Sequence, residues 1–137
     1  MYPKDLLYTS EHEWVKVEGS KARVGVTDYA QKELGDVVFV DLPSVGDTLA
    51  AGQAFAVIES VKSVSDVYSP VSGTVQAVND RLSDSPELIN QSPYGDGWIA
   101  EIEIANPSEL ERLMSAEEYE ASLVGEEKEE SKEDKTE

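Results

Sequence analysis

The chain has 137 residues, which suffices for one domain with a single core and is too short for two domains of ordinary size. Its 29 acidic residues against 11 basic ones give a formal net charge of -18, which disfavours nucleic acid and anionic membranes as partners because both bind through clustered Lys and Arg. Without any cysteine, and with no apolar run long enough for a secretory signal or a membrane span, the sequence predicts a cytoplasmic protein with no disulfide and no cysteine-ligated metal.

Short β-branched runs, separated by Gly, Pro, Asp and Ser, predict a mainly antiparallel β domain. The predicted strands lie, in chain order, near Trp14 to Val17, Ala22 to Val26, Val37 to Leu42, Ala54 to Glu59, Val64 to Tyr68, Thr74 to Val78 and Trp98 to Ile104. The last of them, WIAEIEI, alternates apolar and polar residues, so one of its faces should be buried.

Helix signals are fewer than strand signals. They are, in chain order, the N-cap Thr27 of a helix through Leu34 that stops at a left-handed Gly35, the N-cap Asn106 followed by Pro107 and Glu109, and the capping box of Ser115 with Glu118, whose helix ends near Leu123. From residue 125 onward, GEEKEESKEDKTE has no apolar face to bury. We therefore expect a single domain over residues 1–124 and a disordered acidic tail over residues 125–137.

The stretch ESVKSVSD places Lys62 at the tip of a hairpin between the fourth and fifth predicted strands. Only the flanking strands define this tip, because the segment lacks the Asn-Gly or Asp-Gly pair of a tight turn. The neighbouring acids Glu59 and Asp66 favour the charged ammonium, which argues against a Schiff-base or general-base lysine. An exposed lysine on a turn suits acylation by an enzyme that brings its own activated carboxylate, and an ordinary solvated lysine is the alternative.

Catalytic and metal sites have little support in this sequence. His12, within SEHEWV, is the only histidine, so a Ser-His-Asp triad or a histidine metal site would depend on one residue whose commoner role is packing or a surface hydrogen bond. Glu11 and Glu13 lie two positions apart, but such coincidences are expected among 29 acids, and no Gly-rich phosphate loop occurs. The chain therefore fits a carrier, with no catalytic residue and no metal, better than a catalyst.

Four motifs carry a resemblance to a known family. They are, in chain order, EHEWV, VGVTDYAQKELG, the run GDVVFVDLPSVGDTLAAGQAFAVIESVKSVSDVYSPVSGTVQAVN and SPYGDGWI. From about Tyr8 to Tyr119 the sequence resembles the glycine cleavage system H proteins, which are lipoyl carriers. The resemblance implies a barrel-like β sandwich of the lipoyl and biotinyl type, with a short internal helix, C-terminal helices and turns at Gly46, Gly52, Pro70 and Gly73.

The same resemblance implies that Lys62 carries lipoic acid in amide linkage. The carrier would shuttle an aminomethyl group from a pyridoxal-phosphate glycine decarboxylase to a tetrahydrofolate-dependent aminomethyltransferase, and electrons to an FAD-containing dihydrolipoyl dehydrogenase. A lipoate ligase or a lipoyl or octanoyl transferase would attach the group, and we expect the carrier to be a monomer. The candidates for ligase recognition or for a pocket that holds the arm are Glu59, Val61, Ser63, Asp66 and Glu13.

Other carrier roles are compatible with some of these residues. Biotinyl carriers usually flank the acceptor lysine with methionine on both sides, whereas this sequence has Val61 and Ser63. Lipoyl domains of 2-oxo acid dehydrogenases commonly show Asp-Lys-Ala at the acceptor and precede a catalytic domain, and neither feature occurs here. A lipoyl or octanoyl relay in lipoate metabolism would use the same Lys62 as glycine cleavage does.

Overall fold

The structure is a computed structural model that describes residues 2–124, so the predicted acidic tail lies outside the described part. The strands of that part are β1 (Leu7–Tyr8), β2 (Glu13–Glu18), β3 (Lys21–Val26), β4 (Val37–Asp41), β5 (Thr48–Leu49), β6 (Ala54–Ser60), β7 (Val64–Tyr68), β8 (Gly73–Val78) and β9 (Ala100–Ile104). The helices are α1 (Asp28–Leu34), α2 (Arg81–Asp84), α3 (Leu88–Gln91), a 3₁₀ helix (Pro107–Arg112) and α4, which covers 116–124. No helix of residues 2–124 is both long and apolar enough to cross a bilayer.

Two antiparallel sheets enclose one main core. The six-stranded sheet has the order β1-β2-β3-β9-β8-β5, and the three-stranded sheet has the order β4-β6-β7. Val24 and Ile102 of the first sheet belong to the same buried cluster as Val40 and Ile58 of the second. The predicted mainly β sandwich with a short internal helix and C-terminal helices is confirmed, because burial of each sheet's apolar face against the other is what the alternating strands require.

The alternating strand WIAEIEI is shorter than predicted. Ala100, Ile102 and Ile104 are buried, as the alternation requires, but β9 begins at Ala100. The Trp98 amide donates to the Gly95 carbonyl at 3.2 Å, within a turn, and therefore does not take part in the sheet ladder.

Helix α1 confirms the predicted capping residue and corrects the predicted stop. The Thr27 hydroxyl accepts a hydrogen bond from the Ala30 amide at 3.2 Å. Gly35 has a positive φ of 75° but a ψ of -158°, which lies outside the left-handed helical region. The Gly35 amide still donates to the Gln31 carbonyl at 3.0 Å, so the helix ends there and the chain turns directly toward β4.

The C-terminal helices differ in kind. The segment after Asn106 is a 3₁₀ helix, and the Glu109 carboxylate accepts from the amide and hydroxyl of Ser72, at 2.7 and 2.8 Å, instead of capping its own helix. The capping box is confirmed, because the Ser115 amide donates to Glu118 Oε1 at 2.9 Å and the Glu118 amide donates to Ser115 Oγ at 3.2 Å.

The turn expected at Gly73 is wrong, while those at Gly46 and Gly52 are confirmed. Gly46 and Gly52 have φ values of 97° and 86° and lie in turns, a conformation that glycine adopts without strain. Gly73 instead begins β8, where a Cβ would collide with the backbone carbonyl of Glu103 on β9. Its glycine is required because the two backbones approach closely.

Candidate functional site

The hairpin of β6 and β7 presents Lys62 in its loop, as predicted. Glu59 and Val64 form the last paired positions of the two strands, and the Ser60 amide donates to the Ser63 carbonyl at 2.8 Å to close the loop. Lys62 is exposed there. Its amine is therefore accessible to a protein that approaches the end of the hairpin.

The hydroxyl of Ser60 shapes this turn. Its Oγ accepts from the amides of Lys62 and Ser63, at 3.3 and 3.1 Å. Serine side chains form turns in this way by bonding backbone groups two or three residues onward, which removes the need for Asn-Gly. The sequence reasoning missed Ser60, although a serine two residues before the acceptor lysine is a signal for such a turn.

A second loop supports the tip from outside the hairpin. The Val61 amide donates to the carbonyl of Asp36, between α1 and β4, at 3.0 Å. A Cβ built on Gly35 would lie 3.4 Å from Lys62 Cε, so the aliphatic stem of Lys62 lies over Gly35. The turn that carries Lys62 is therefore held by a hydrogen bond across the hairpin and by a hydrogen bond to the loop between α1 and β4.

Asn90 of α3 holds that supporting loop in place. Its Oδ1 accepts from the Val37 amide at 2.9 Å, and its Nδ2 donates to the Gly35 carbonyl at 2.8 Å and to Gln31 Oε1 at 3.1 Å. These bonds join residues 53 to 59 positions apart in sequence. Sequence reasoning missed Asn90, because nothing in a single sequence indicates a partner so far along the chain.

Lys62 has acidic neighbours but no ion pair within residues 2–124. Glu59 is the last residue paired in β6 before the turn, and Asp66 lies opposite Val57, two rows further from the tip. Both acids therefore lie near the lysine on the hairpin, as predicted, without holding its side chain. The amine is left available to an external enzyme.

A cleft of about 370 Å³ opens beside the hairpin, between β7, α1 and the turn before β2. Three of the predicted site residues, Glu13, Ser63 and Asp66, line it, whereas Glu59 and Val61 do not. A second cleft, of about 460 Å³, is formed by β4, β5, β6 and the adjoining loops, and none of the predicted site residues lines it. The first cleft is the one that an arm on Lys62 would enter most directly.

Glu13 is an almost fully buried carboxyl in the wall of this cleft, with 2% of its surface exposed. Its Oε1 accepts from the Thr9 hydroxyl at 2.6 Å, and its Oε2 accepts from the Tyr68 amide at 3.1 Å. Burial raises the pKa of Glu13 to about 7, and the two hydrogen bonds oppose that shift. The group therefore gains and loses its proton near neutral pH.

His12 belongs to an aromatic cluster at the same cleft. The Nδ1 atom of His12 lies 2.8 Å from Tyr119 Oη, and Tyr119 Oη lies 2.7 Å from the hydroxyl of Thr27. The ring centroid of His12 is 4.6 Å from that of Tyr29. Its φ of 69° fits the tight turn that precedes β2. Within residues 2–124 no three His or acidic side chains lie close enough together to hold a metal ion. His12 therefore has a packing and hydrogen-bonding role.

Comparisons of sequence and of structure find relatives of one kind. A family model described as "Glycine cleavage H-protein" matches residues 6–126. The chain is similar to the glycine cleavage system H protein of Carboxydothermus hydrogenoformans, with 54% identity over 121 residues that cover 88% of this chain and 93% of that protein. Its identity to the Bacillus subtilis protein of that name is 57% over 118 residues, or 86% of this chain and 93% of the other. The crystal structure of a glycine cleavage system H protein from Mycobacterium marinum has a TM-score of 0.80 at 37% identity, over 90% of this chain and 99% of that one.

Proposed function

Because this chain belongs to the glycine cleavage H-protein family, the lipoyl carriers of the glycine cleavage system, we propose that Lys62 carries the lipoyl group as an amide of its side-chain nitrogen. A member of this family is a carrier subunit and not itself a catalyst. The observation that supports the assignment of Lys62 is its placement at an exposed and well-braced hairpin tip.

The residues around Lys62 fit a covalently attached arm. The amine is exposed and has no ion-pair partner in the described chain, so an acylating enzyme has access to it. The turn is fixed by Ser60 and by the Asp36 carbonyl, which defines the point from which an arm would extend. The cleft of about 370 Å³ beside the hairpin offers the arm a sheltered place between visits to enzymes.

When attached, the lipoyl group supplies a disulfide that accepts a one-carbon unit and two electrons. The chain supplies the hairpin that presents it and a cleft whose walls limit the access of water. Glu13 and Asp66 line that cleft and are our candidates for binding a cationic group brought into it, because both are carboxyl side chains. Burial leaves Glu13 partly protonated at neutral pH, and an incoming cation would favour its charged form.

Partners of two kinds follow from this role. The enzymes of the glycine cleavage system are partners of a carrier in this family, and we propose a glycine decarboxylase, an aminomethyltransferase and a dihydrolipoyl dehydrogenase. A lipoate ligase or a lipoyl or octanoyl transferase would modify Lys62. For this modifying enzyme we propose contacts with Glu59, Val61, Ser63 and Asp66, which flank the lysine on the hairpin.

Replacement of the lysine tests the assignment. Lys62→Arg keeps the positive charge but offers no acylable amine, so it should fold normally, gain no lipoyl mass in intact-protein mass spectrometry and lose all carrier activity. Lys32→Arg, a matched change at an exposed lysine of α1, should be modified like wild type. A Lys62→Arg protein that still gains the lipoyl mass would show that another lysine is the acceptor.

A further inference from the structure

The exposed large apolar side chains of residues 2–124 are unevenly distributed. Four of the seven lie on the Lys62 hairpin or on β4, which pairs with it, namely Val38, Phe39, Val61 and Val64, with exposed fractions of 54%, 50%, 68% and 66%. The other three, Val17, Val45 and Val124, lie on β2, in the loop before β5 and on α4. Contiguous exposed apolar surface of this kind commonly marks a protein interaction site.

The strand register brings two of these side chains, Phe39 and Val64, to one face of the three-stranded sheet. Phe39 pairs with Glu59, and Glu59 pairs with Val64, so the three side chains form one row across the sheet. Two strand spacings separate Phe39 from Val64, or about 10 Å. This row is exposed or half-buried, in contrast to the neighbouring core row of Val40 and Ile58. We call the surface on which it lies the outer face.

The charge of the outer face is acidic. The next row of the face holds Asp41 and Asp66 on either side of Val57. Lys62 is the one basic residue in the sequence of β4, β6, β7 and the hairpin loop. A complementary partner surface would therefore have an apolar centre and a rim of Arg or Lys.

We propose that the outer face is the docking surface of the enzyme that acylates Lys62, an inference that depends on the proposed function. In that reaction an amide bond forms between Nζ and the acyl carbonyl carbon, the bond from that carbon to its activating group breaks, and the amine loses a proton. An unmodified lysine is short, so this enzyme must approach the hairpin closely and cover the side chains beside it. Enzymes that act later reach the distal end of a much longer arm and need no contact with the outer face.

Substitutions on the face, with a matched valine elsewhere, test the proposal. The double change of Phe39→Ser and Val64→Ser should lower kcat/KM for modification by a lipoate ligase, supplied with lipoate and ATP, on the order of tenfold, mainly through KM. Val45→Ser removes an equally apolar side chain with 62% exposure from the loop before β5 and should have no effect. Phe39→Leu should restore most of the loss of Phe39→Ser. Far-UV circular dichroism checks that each variant is folded.

A second measurement separates the modifying enzyme from the later ones. Phe39→Ser protein, in which the changed residue does not line the cleft beside the hairpin, should, once it has been fully lipoylated by excess ligase, be reduced by dihydrolipoyl dehydrogenase and NADH at the wild-type rate. Three results would contradict the proposed docking surface. They are a rate of reduction in that assay that falls as much as the lipoylation does, a kcat/KM for lipoylation of Val45→Ser that falls as much as that of the double variant, and a double variant that is lipoylated at the wild-type kcat/KM. If wild type gains no lipoyl mass at Lys62, the proposed function fails as well, and this outcome is distinct from the other three.

Discussion

The solvent-facing sides of the two sheets in this carrier differ in the contacts that their side chains make. On the six-stranded sheet, Arg23 donates to Glu101 from Nε and Nη2, at 3.0 and 2.8 Å, and its guanidinium lies 4.7 Å from the centroid of Trp98. On the three-stranded sheet, Phe39 and Val64 are exposed and Glu59 has no ion pair within residues 2–124. On the first surface Arg23 and Glu101 are paired within the protein, whereas on the second the apolar groups and Glu59 are left to a partner. In such a sandwich, one sheet can contribute mainly to the stability of the fold while the other presents the surface that partners recognise.

The largest expected effect on stability comes from the six-stranded sheet. Ile102 lies in β9 with no exposed surface. Ile102→Ala should lower the free energy of unfolding by about 2–5 kcal/mol, because it removes buried apolar surface and leaves a cavity. Urea denaturation measures that loss. At 25 °C, where the variant is still folded, the rate of lipoylation should be unchanged.

A slower lipoylation of folded Ile102→Ala protein would contradict this division between the sheets. Val17→Ala is the matched control in the same row of the same sheet, since Val17 pairs with Ala22 and Ala22 pairs with Ile102, but its side chain is 37% exposed. It should change the free energy of unfolding by about 0.5 kcal/mol or less. Comparison of the two variants shows whether the loss in free energy of unfolding depends on burial of the side chain or only on its place in the six-stranded sheet.

Much of the fold was predictable because strand and cap signals are local. The run Ala54 to Glu59 and the N-cap Thr27 depend on neighbours within a few residues, and the structure confirms both. The two-residue strands β1 and β5 and the single-turn helices α2 and α3 were missed, since elements so short show no periodicity. The N-cap residue Asn106 predicted that a helix follows it, but nothing in the sequence indicated that this helix is of the 3₁₀ type.

The site was predictable only in part for the same reason. Lys62 at a hairpin tip follows from the two strands that flank it. The burial of Glu13 does not, because one of its two hydrogen-bond donors is the amide of Tyr68, on the other sheet and 55 positions away. The outer face of Phe39 and Val64 follows from the pairing register, which a single sequence does not specify.

Glu13 bridges the two sheets and should make stability depend on pH. Its folded pKa of about 7 lies above the ordinary glutamate pKa of 4.5, so between these values the folded state binds more protons than the unfolded state. The contribution of Glu13 to the free energy of unfolding is therefore full below pH 4.5 and is lost as pH rises to 7. One pKa unit corresponds to about 1.4 kcal/mol, so the loss between pH 5 and pH 8 is on the order of 2 kcal/mol.

Glu13→Gln removes this titrating group. The pH dependence that Glu13 contributes should therefore appear as a difference between the free energies of unfolding of the variant and of wild type. The free energy of unfolding of the variant, relative to wild type, should rise by on the order of 2 kcal/mol from pH 5 to pH 8. Urea denaturation at both pH values measures it. Glu18→Gln, at an exposed position at the other end of β2, should leave the difference flat. A flat difference for Glu13→Gln would mean that the Thr9 and Tyr68 hydrogen bonds hold the carboxylate charged throughout.

The smallest expected effect tests how the acceptor turn is supported. Asn90→Ala removes the bond to the Val37 amide and the bond to the Gly35 carbonyl, which together hold the loop that accepts from the Val61 amide. A lost hydrogen bond of this kind costs about 1–2 kcal/mol, so local opening should become on the order of tenfold more frequent. Hydrogen exchange of the Val61 amide measures this opening directly.

A matched asparagine on the six-stranded side shows whether the effect is local. Asn79 is buried and its Nδ2 donates to the carbonyls of Asp96 and Trp98, at 2.7 and 2.8 Å. Asn79→Ala should lower global stability by a similar amount or more while leaving exchange at Val61 close to that of wild type. Asn90→Asp keeps the acceptor for the Val37 amide but sets a carboxylate oxygen against the Gly35 carbonyl, so it should accelerate exchange at Val61 at least as much as Asn90→Ala does. If Asn79→Ala and Asn90→Ala accelerate exchange at Val61 equally, the turn opens only with the whole domain, and Asn90 has no separate part in positioning Lys62.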